Sequence, residues 1–135
     1  MKFQKATDYA IRVLSYLHSH NSRDDLLTAQ MISEAVGMTY PFFLKIANQL
    51  KHQGLIITAQ GRYGGYRLAR RGNKISVYDV FVAIEGELRI TNCPKDEHSA
   101  APCAVHGYFE EMQNMMVAAM SSKKISEFAV KKVCA

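Results

Sequence analysis

Thr39-Tyr40-Pro41-Phe42-Phe43-Leu44-Lys45-Ile46-Ala47-Asn48-Gln49-Leu50-Lys51 is the stretch on which the fold turns. The Thr39 hydroxyl can accept from backbone amides of the following turn, and Pro41 stands where a helix loses no hydrogen bond to it. Met38 before the cap and Phe43 after it suit a hydrophobic staple. The helix runs on to a stop near Gly54. Just upstream, Thr28 has the chemistry to cap a shorter helix over Ala29 to Val36, and Gly37 supplies a left-handed stop. Ile32, Ala35, Val36, Phe43, Ile46 and Leu50 are expected to tie the two helices together. Two short helices about a glycine turn read as a helix-turn-helix, with the first turn of the second helix left exposed.

Outward from this motif the pattern alternates between helix and a brief β interlude. Ala6, Tyr9, Ala10, Val13, Leu14, Tyr16 and Leu17 recur at helical spacing between Lys5 and His20, followed by a polar loop. Downstream, Leu55 to Gln60 and Tyr66 to Arg70 read as the arms of a hairpin joined through Gly61, Gly64 and Gly65. A hairpin directly after a helix-turn-helix is a wing, and no acid interrupts Gln60 to Arg71. Ser76 with Asp79 three residues on opens a helix that ends at Gly86. Glu87 to Pro102 reads as loop. A long last helix is expected from near Cys103 or Ala104, with Val105, Tyr108, Phe109, Met112, Met115, Met116, Ala119 and Met120 on one broad stripe. Ile125 to Val133 is expected as a short closing helix. The expected fold is therefore mainly α with a small β hairpin: a winged helix-turn-helix over 1–86, a loop over 87–103, and dimerisation and closing helices over 104–135.

The chain has 135 residues, 48% of them hydrophobic, which suits a single globular domain with an appended helix. No apolar run approaches the length of a membrane span, and the polar start Met1 to Asp8 lacks a signal-peptide core. A cytoplasmic protein with reduced cysteines is expected. With 17 basic and 12 acidic residues the formal net charge is +5, a field that favours polyanions. No Ser-His-Asp set, phosphate-binding glycine loop or paired carboxylates stand out, so an enzyme is not expected.

Where charge and fold coincide, duplex DNA is the expected partner. A recognition helix places its N-terminal residues at base edges in the major groove, and wing guanidiniums reach phosphates or the adjacent minor groove. Thr39 and Tyr40 would lie nearest the DNA, with Lys45, Asn48 and Gln49 further along the groove and Arg62 and Arg67 on the wing. Lys2 and Lys5 could add phosphate contacts or be plain solvated lysines. The rival reading is a winged module that docks a protein and binds no duplex. The methionine stripe is too long to be covered by the winged helix, so Tyr108, Phe109, Met112, Met115 and Met116 are read as a homodimer surface.

Cys93, His98, Cys103 and His106 form a second cluster between helices. Cys103 and His106 stand one helical turn apart, and soft thiolates with imidazole suit an iron–sulfur cluster or zinc. Loop cysteines and a surface histidine without a ligand are the plainer alternative, as is a thiol switch. Cys134 is read as incidental.

Assembled, the chain resembles the Rrf-type family of bacterial winged-helix transcriptional regulators, of the IscR/NsrR kind. The resemblance rests on Thr7-Asp8-Tyr9-Ala10-Ile11-Arg12, Ile32-Ser33-Glu34-Ala35-Val36-Gly37, Phe42 to Leu50, and Gly61-Arg62-Tyr63-Gly64-Gly65-Tyr66-Arg67-Leu68-Ala69-Arg70. It implies a homodimer crossing its long C-terminal helices, binding operator DNA, and acting as a regulator, with repression the expected sense. It also implies a sensor in the cysteine-bearing loop. The chain departs from the cluster-binding pattern, which has three cysteines there; here only Cys93 and Cys103 are present. His106 matches a ligand that follows the last cysteine in relatives, and Asp8 matches an acidic ligand donated by the partner subunit. Cys93, Cys103 and His106 with either His98 or Asp8 could therefore complete the set for a 2Fe–2S or 4Fe–4S cluster. A cofactor-free loop is the other outcome of the same departure.

Overall fold

A computed structural model describes residues 2–20, 26–90 and 104–128. The elements run α1 (Lys5–His20), α2 (Ala29–Val36), α3 (Tyr40–His52), β1 (Ile56–Ala59), β2 (Gly65–Leu68), a 3-10 turn at Gly72–Lys74, α4 (Val77–Glu85), α5 (Ala104–Ser122) and a 3-10 turn at Ile125–Phe128. The expected helix-turn-helix, hairpin and long last helix are all present.

α1 is the central post. Ala10, Val13, Leu14 and Leu17 are fully buried, and their spacing of three and four residues sets them on one helical face. On that face α1 meets α2, α3, α4, β2 and both 3-10 turns. Ile32, Phe43, Ile46, Leu50, Leu55, Ile75 and Val80 close the same core from the other elements.

The helix ends follow from local chemistry. Thr28 Oγ1 accepts from the Met31 amide at 3.1 Å, and Thr39 Oγ1 accepts from the Phe42 amide at 3.3 Å. Gly37 takes φ 81°, the left-handed stop that an L side chain resists. Ser76 and Asp79 form a reciprocal capping box on α4. Ala35 departs from expectation, being exposed rather than wedged between the helices. α2 has only about two turns, and its inward line passes through Ile32 and Val36, one turn apart; Ala35 falls off its edge.

β1 and β2 pair antiparallel with Ile56 opposite Leu68 and Ala59 opposite Gly65. β2 gains a rung on its other edge that sequence patterning did not indicate. Leu27 donates to the Tyr66 carbonyl at 3.1 Å, and the Tyr66 amide donates back to Leu27 at 2.7 Å. A Cβ at Gly65 would lie 2.5 Å from the Leu27 carbonyl oxygen, so glycine is what lets the two backbones close.

The C-terminal part differs from expectation in two respects. The closing element is a 3-10 turn at Ile125–Phe128; 129–133, the rest of the expected helix, lie outside the described residues. That turn returns to the winged-helix core. Val77 donates to Lys123 at 2.8 Å, Ile125 donates to Ile75 at 2.9 Å, and the Ile125 side chain is fully buried. The apolar stripe of α5 is also two surfaces rather than one. Met116, Val117 and Met120 pack with Phe81 and Leu88, whereas Val105, Tyr108 and Met115 are exposed. A helix carrying apolar residues over more than half its girth cannot present them all to one neighbour.

Candidate nucleic-acid interface

The exposed face of α3 and the hairpin form two walls of one groove. Tyr40, Leu44, Lys45, Asn48 and Lys51 line it from α3, facing Thr58 to Gly61 and Gly64 to Tyr66 of the wing, in a cavity of about 690 Å³. Phe43 braces the walls from inside: its ring meets Tyr66 edge-on, with centroids 5.0 Å apart. Burial, and after it the nearby Tyr40, pushes the Tyr66 phenol above its ordinary pKa.

Tyr40, Lys45 and Asn48 are exposed on this face, as expected. Thr39 is exposed too, with its hydroxyl engaged as the α3 cap. Gln49 behaves differently. It is half-buried beside the groove rather than in it, with Oε1 enclosed and without a hydrogen-bond partner among the described residues. Lys51 was not singled out from sequence, although Tyr40, Leu44, Asn48 and Lys51 recur every three or four residues and so share a face.

On the wing, Arg62, Arg67 and Arg70 are all exposed. The Arg62 guanidinium lies 5.9 Å from the Tyr63 ring centroid, and Tyr63 is otherwise open to solvent at 86% exposure. Arg67 stands opposite Ile57 across the hairpin. α1 extends the positive side toward α3: the Lys5 ammonium lies 5.5 Å from the Tyr9 ring, and Tyr9 meets Phe42 edge-on. Lys2 is exposed nearby in the chain. No acidic residue stands between Glu34 and Asp79, a span that holds α3, the whole wing and seven Lys or Arg side chains.

Cys93, His98, Cys103 and Cys134 lie outside the described residues. Of the candidate ligands, Asp8 and His106 are described. Asp8 accepts from Arg12 at 2.7 Å on the exposed side of α1, and His106 Nε2 lies 4.0 Å from Glu110 in the first turns of α5. Among the described residues no group of three His, Cys, Asp or Glu side chains could hold a metal ion. Two contacts frame the loop between α4 and α5. The Ile90 amide donates to Gln113 Oε1 at 3.2 Å, and Thr7 Oγ1 donates to the Glu85 carboxylate, joining α1 to the end of α4.

A capped recognition helix, a cationic hairpin beside it and an acid-free span covering both define a winged-helix DNA-binding protein. The comparisons with known proteins agree. Residues 3–131 match the family model described as Rrf2, iron-dependent transcriptional regulator. The transcriptional repressor NsrR of Streptomyces coelicolor is 32% identical over 107 residues, covering 79% of this chain and 70% of the relative. In fold, CymR, the global cysteine regulator of B. subtilis, superposes with a TM-score of 0.79 at 17% identity, covering 96% of each chain. IscR of T. potens superposes with a TM-score of 0.74 at 20% identity, over 95% of this chain and 85% of that one. The chain belongs to the Rrf2 family of transcription regulators. Its relatives are regulators and not enzymes, and no described helix is long and apolar enough to cross a membrane.

Proposed function

We propose that this protein is a homodimeric repressor that binds a palindromic operator and reads its signal through the loop between α4 and α5. One observation carries the DNA-binding half: the acid-free span from Glu34 to Asp79 coincides with the exposed groove of α3 and the wing. In this reading α3 enters the major groove with Tyr40, Lys45 and Asn48 toward the bases. Thr39 offers the α3 N-terminus to a phosphate. Arg62 and Arg67 hold the backbone or the neighbouring minor groove.

Dimerisation follows from α5. Val105, Tyr108, Met112, Met115 and Ala119 alternate at three and four residues, the spacing of a helix–helix seam. Tyr108 and Met115 are exposed on it; Phe109 and Met116 flank it, half-buried. A two-fold pair would set two recognition helices about 34 Å apart, one turn of DNA. The labour is then divided between 1–86 for DNA, 87–103 for sensing and 104–135 for pairing, with Ile125 keying the last part into the first.

For the sensor, the donor types in and beside the loop fit an iron–sulfur cluster held by Cys93, Cys103 and His106, with His98 or the partner's Asp8 as fourth ligand. When bound, such a cluster supplies a redox- or ligand-responsive centre. The chain's own part is to pass the loop's state on: Gln113 ties the loop's beginning to α5, and Thr7 with Glu85 ties α1 to α4. With two loop cysteines instead of the three of cluster-binding relatives, a disulfide switch without cofactor is the second reading, and zinc the third.

Titration against a duplex selected from a palindromic library, at several salt concentrations, tests the DNA reading. Affinity is expected to fall at least tenfold between 50 and 200 mM salt, through counterion release. Arg62→Ala is expected to weaken binding by about 1–2 kcal/mol. Salt-independent affinity, or a stable protein complex with no DNA retardation, overturns it. An anaerobic absorption spectrum with iron and sulfide analysis tests the sensor. Visible bands support the cluster; a colourless protein that forms an oxidation-dependent disulfide, or loses metal to chelators, assigns the alternatives.

A further inference from the structure

A second cavity opens on a different part of the molecule, where the chain leaves the wing after β2. It measures about 570 Å³ and shares no lining residue with the groove of α3 and the wing. Its walls come from three separate segments. His18 closes it from the end of α1, Arg70, Arg71 and Asn73 from the chain after β2, and Ser126 from the 3-10 turn that follows α5.

The lining is one-sided in charge. Two arginines, a histidine, an asparagine and a serine line it, and among the described residues no acidic side chain does. Neither Arg70 nor Arg71 has an ion-pair partner among the described residues. Glu127, the acid next to this wall in the chain, is already engaged: the Lys124 amide donates to it at 2.6 Å, and its other oxygen lies 3.7 Å from Lys123. The cavity is also shaped. The His18 ring lies so close on Gly72 that a Cβ there would come within 2.3 Å of Nδ1, so the backbone fixes the imidazole as one wall.

We propose that this junction cavity binds a small phosphate-bearing anion. Guanidinium forks match phosphate oxygens in pairs, and the Asn73 amide and Ser126 hydroxyl add donors. The volume lies within the range of small-molecule sites, about 300–1,000 Å³, and leaves room for an organic group behind the phosphate. A bound anion would join the wing's exit, the end of α1 and the turn that anchors α5. The inference concerns binding without DNA and does not depend on the reading of α3.

The experiment follows amide resonances of the full chain during titration with inorganic phosphate and with glycerol 3-phosphate, at ionic strength matched with chloride. Saturable shifts at Gly72, Asn73 and Ser126 are expected for the phosphates and not for chloride. Arg71→Gln is expected to weaken binding at least tenfold. Asn73→Ala, which keeps every charge, is expected to weaken it about threefold and guards against a misfolded arginine variant. Tighter binding of the ester identifies a phosphomonoester as ligand, and equal affinity identifies free phosphate; both support the site. Unsaturable shifts, identical shifts with chloride, or full affinity in Arg71→Gln overturn it. So does loss of operator affinity in Arg71→Gln when the wild type binds neither phosphate, since the arginines then serve the DNA backbone.

Discussion

The winged-helix half and α5 are stabilised on different terms. In the first, Leu14, Leu17, Ile32, Phe43, Ile46, Leu50 and Val80 are fully buried, drawn from four helices that close on one another. In α5, nineteen residues long, Met120 alone is buried, while Val105, Tyr108 and Met115 stand in solvent. A helix gains most of its stability by burying an apolar face, and α5 buries little of its own within this chain. The difference separates a unit whose apolar faces close on one another from a helix whose outer face is left open, the face that the proposed dimer would cover.

The sharpest way to break that comparison is to empty the first core. Phe43→Ala removes a fully buried ring that joins α3 to Tyr66 of the wing, and is expected to cost about 3–5 kcal/mol in urea unfolding. A loss below 1 kcal/mol would mean that the core does not carry the fold. On α5 the expectation reverses. Met115→Lys should leave the winged-helix unfolding free energy nearly intact but weaken self-association at least tenfold, about 1.4 kcal/mol, in sedimentation equilibrium. Unchanged association would show that the exposed stripe is not the seam.

A smaller effect probes the boundary between fold and function. Thr39 caps α3 and stands at the edge of the expected DNA contact. Thr39→Ala should cost about 1 kcal/mol of stability and weaken operator binding too, whereas Ser76→Ala, the cap on α4 outside the groove, should cost stability without the same loss of affinity. Equal effects of both variants on DNA would remove Thr39 from the interface.

The parts that were legible in the sequence are those fixed by neighbours in the chain. Thr28, Gly37, Thr39 and the Ser76–Asp79 box announce helix ends because capping acts within three or four residues. The wing was legible because its glycines and arginines are contiguous. What stayed hidden depends on distant partners. The Leu27 rung meets Tyr66 across a long separation in sequence. The split of the α5 stripe depends on where Phe81 and Leu88 lie, and the inward turn of Gln49 depends on what packs beside α3. Lys51 was legible in principle, since it stands three residues beyond Asn48 and completes the face of Tyr40, Leu44 and Asn48.

The smallest effect belongs to Tyr66, where core and interface meet. Burial raises its phenol pKa, so the folded state holds the neutral form more firmly than the unfolded chain does. Below about pH 10 the phenol is neutral in both states and adds no pH dependence. Above that value the unfolded chain ionises first, and stability falls as pH rises through the higher folded value. Tyr66→Phe cannot ionise, so its thermal midpoint should decline less than the wild type's between pH 9 and pH 11. Comparing the two proteins at each pH cancels the lysines and the other tyrosines, which titrate alike in both. Parallel curves would mean that the ring wedged between Phe43 and the groove is no more shielded from water than an ordinary surface tyrosine, and the wing would then not be braced on α3 from within.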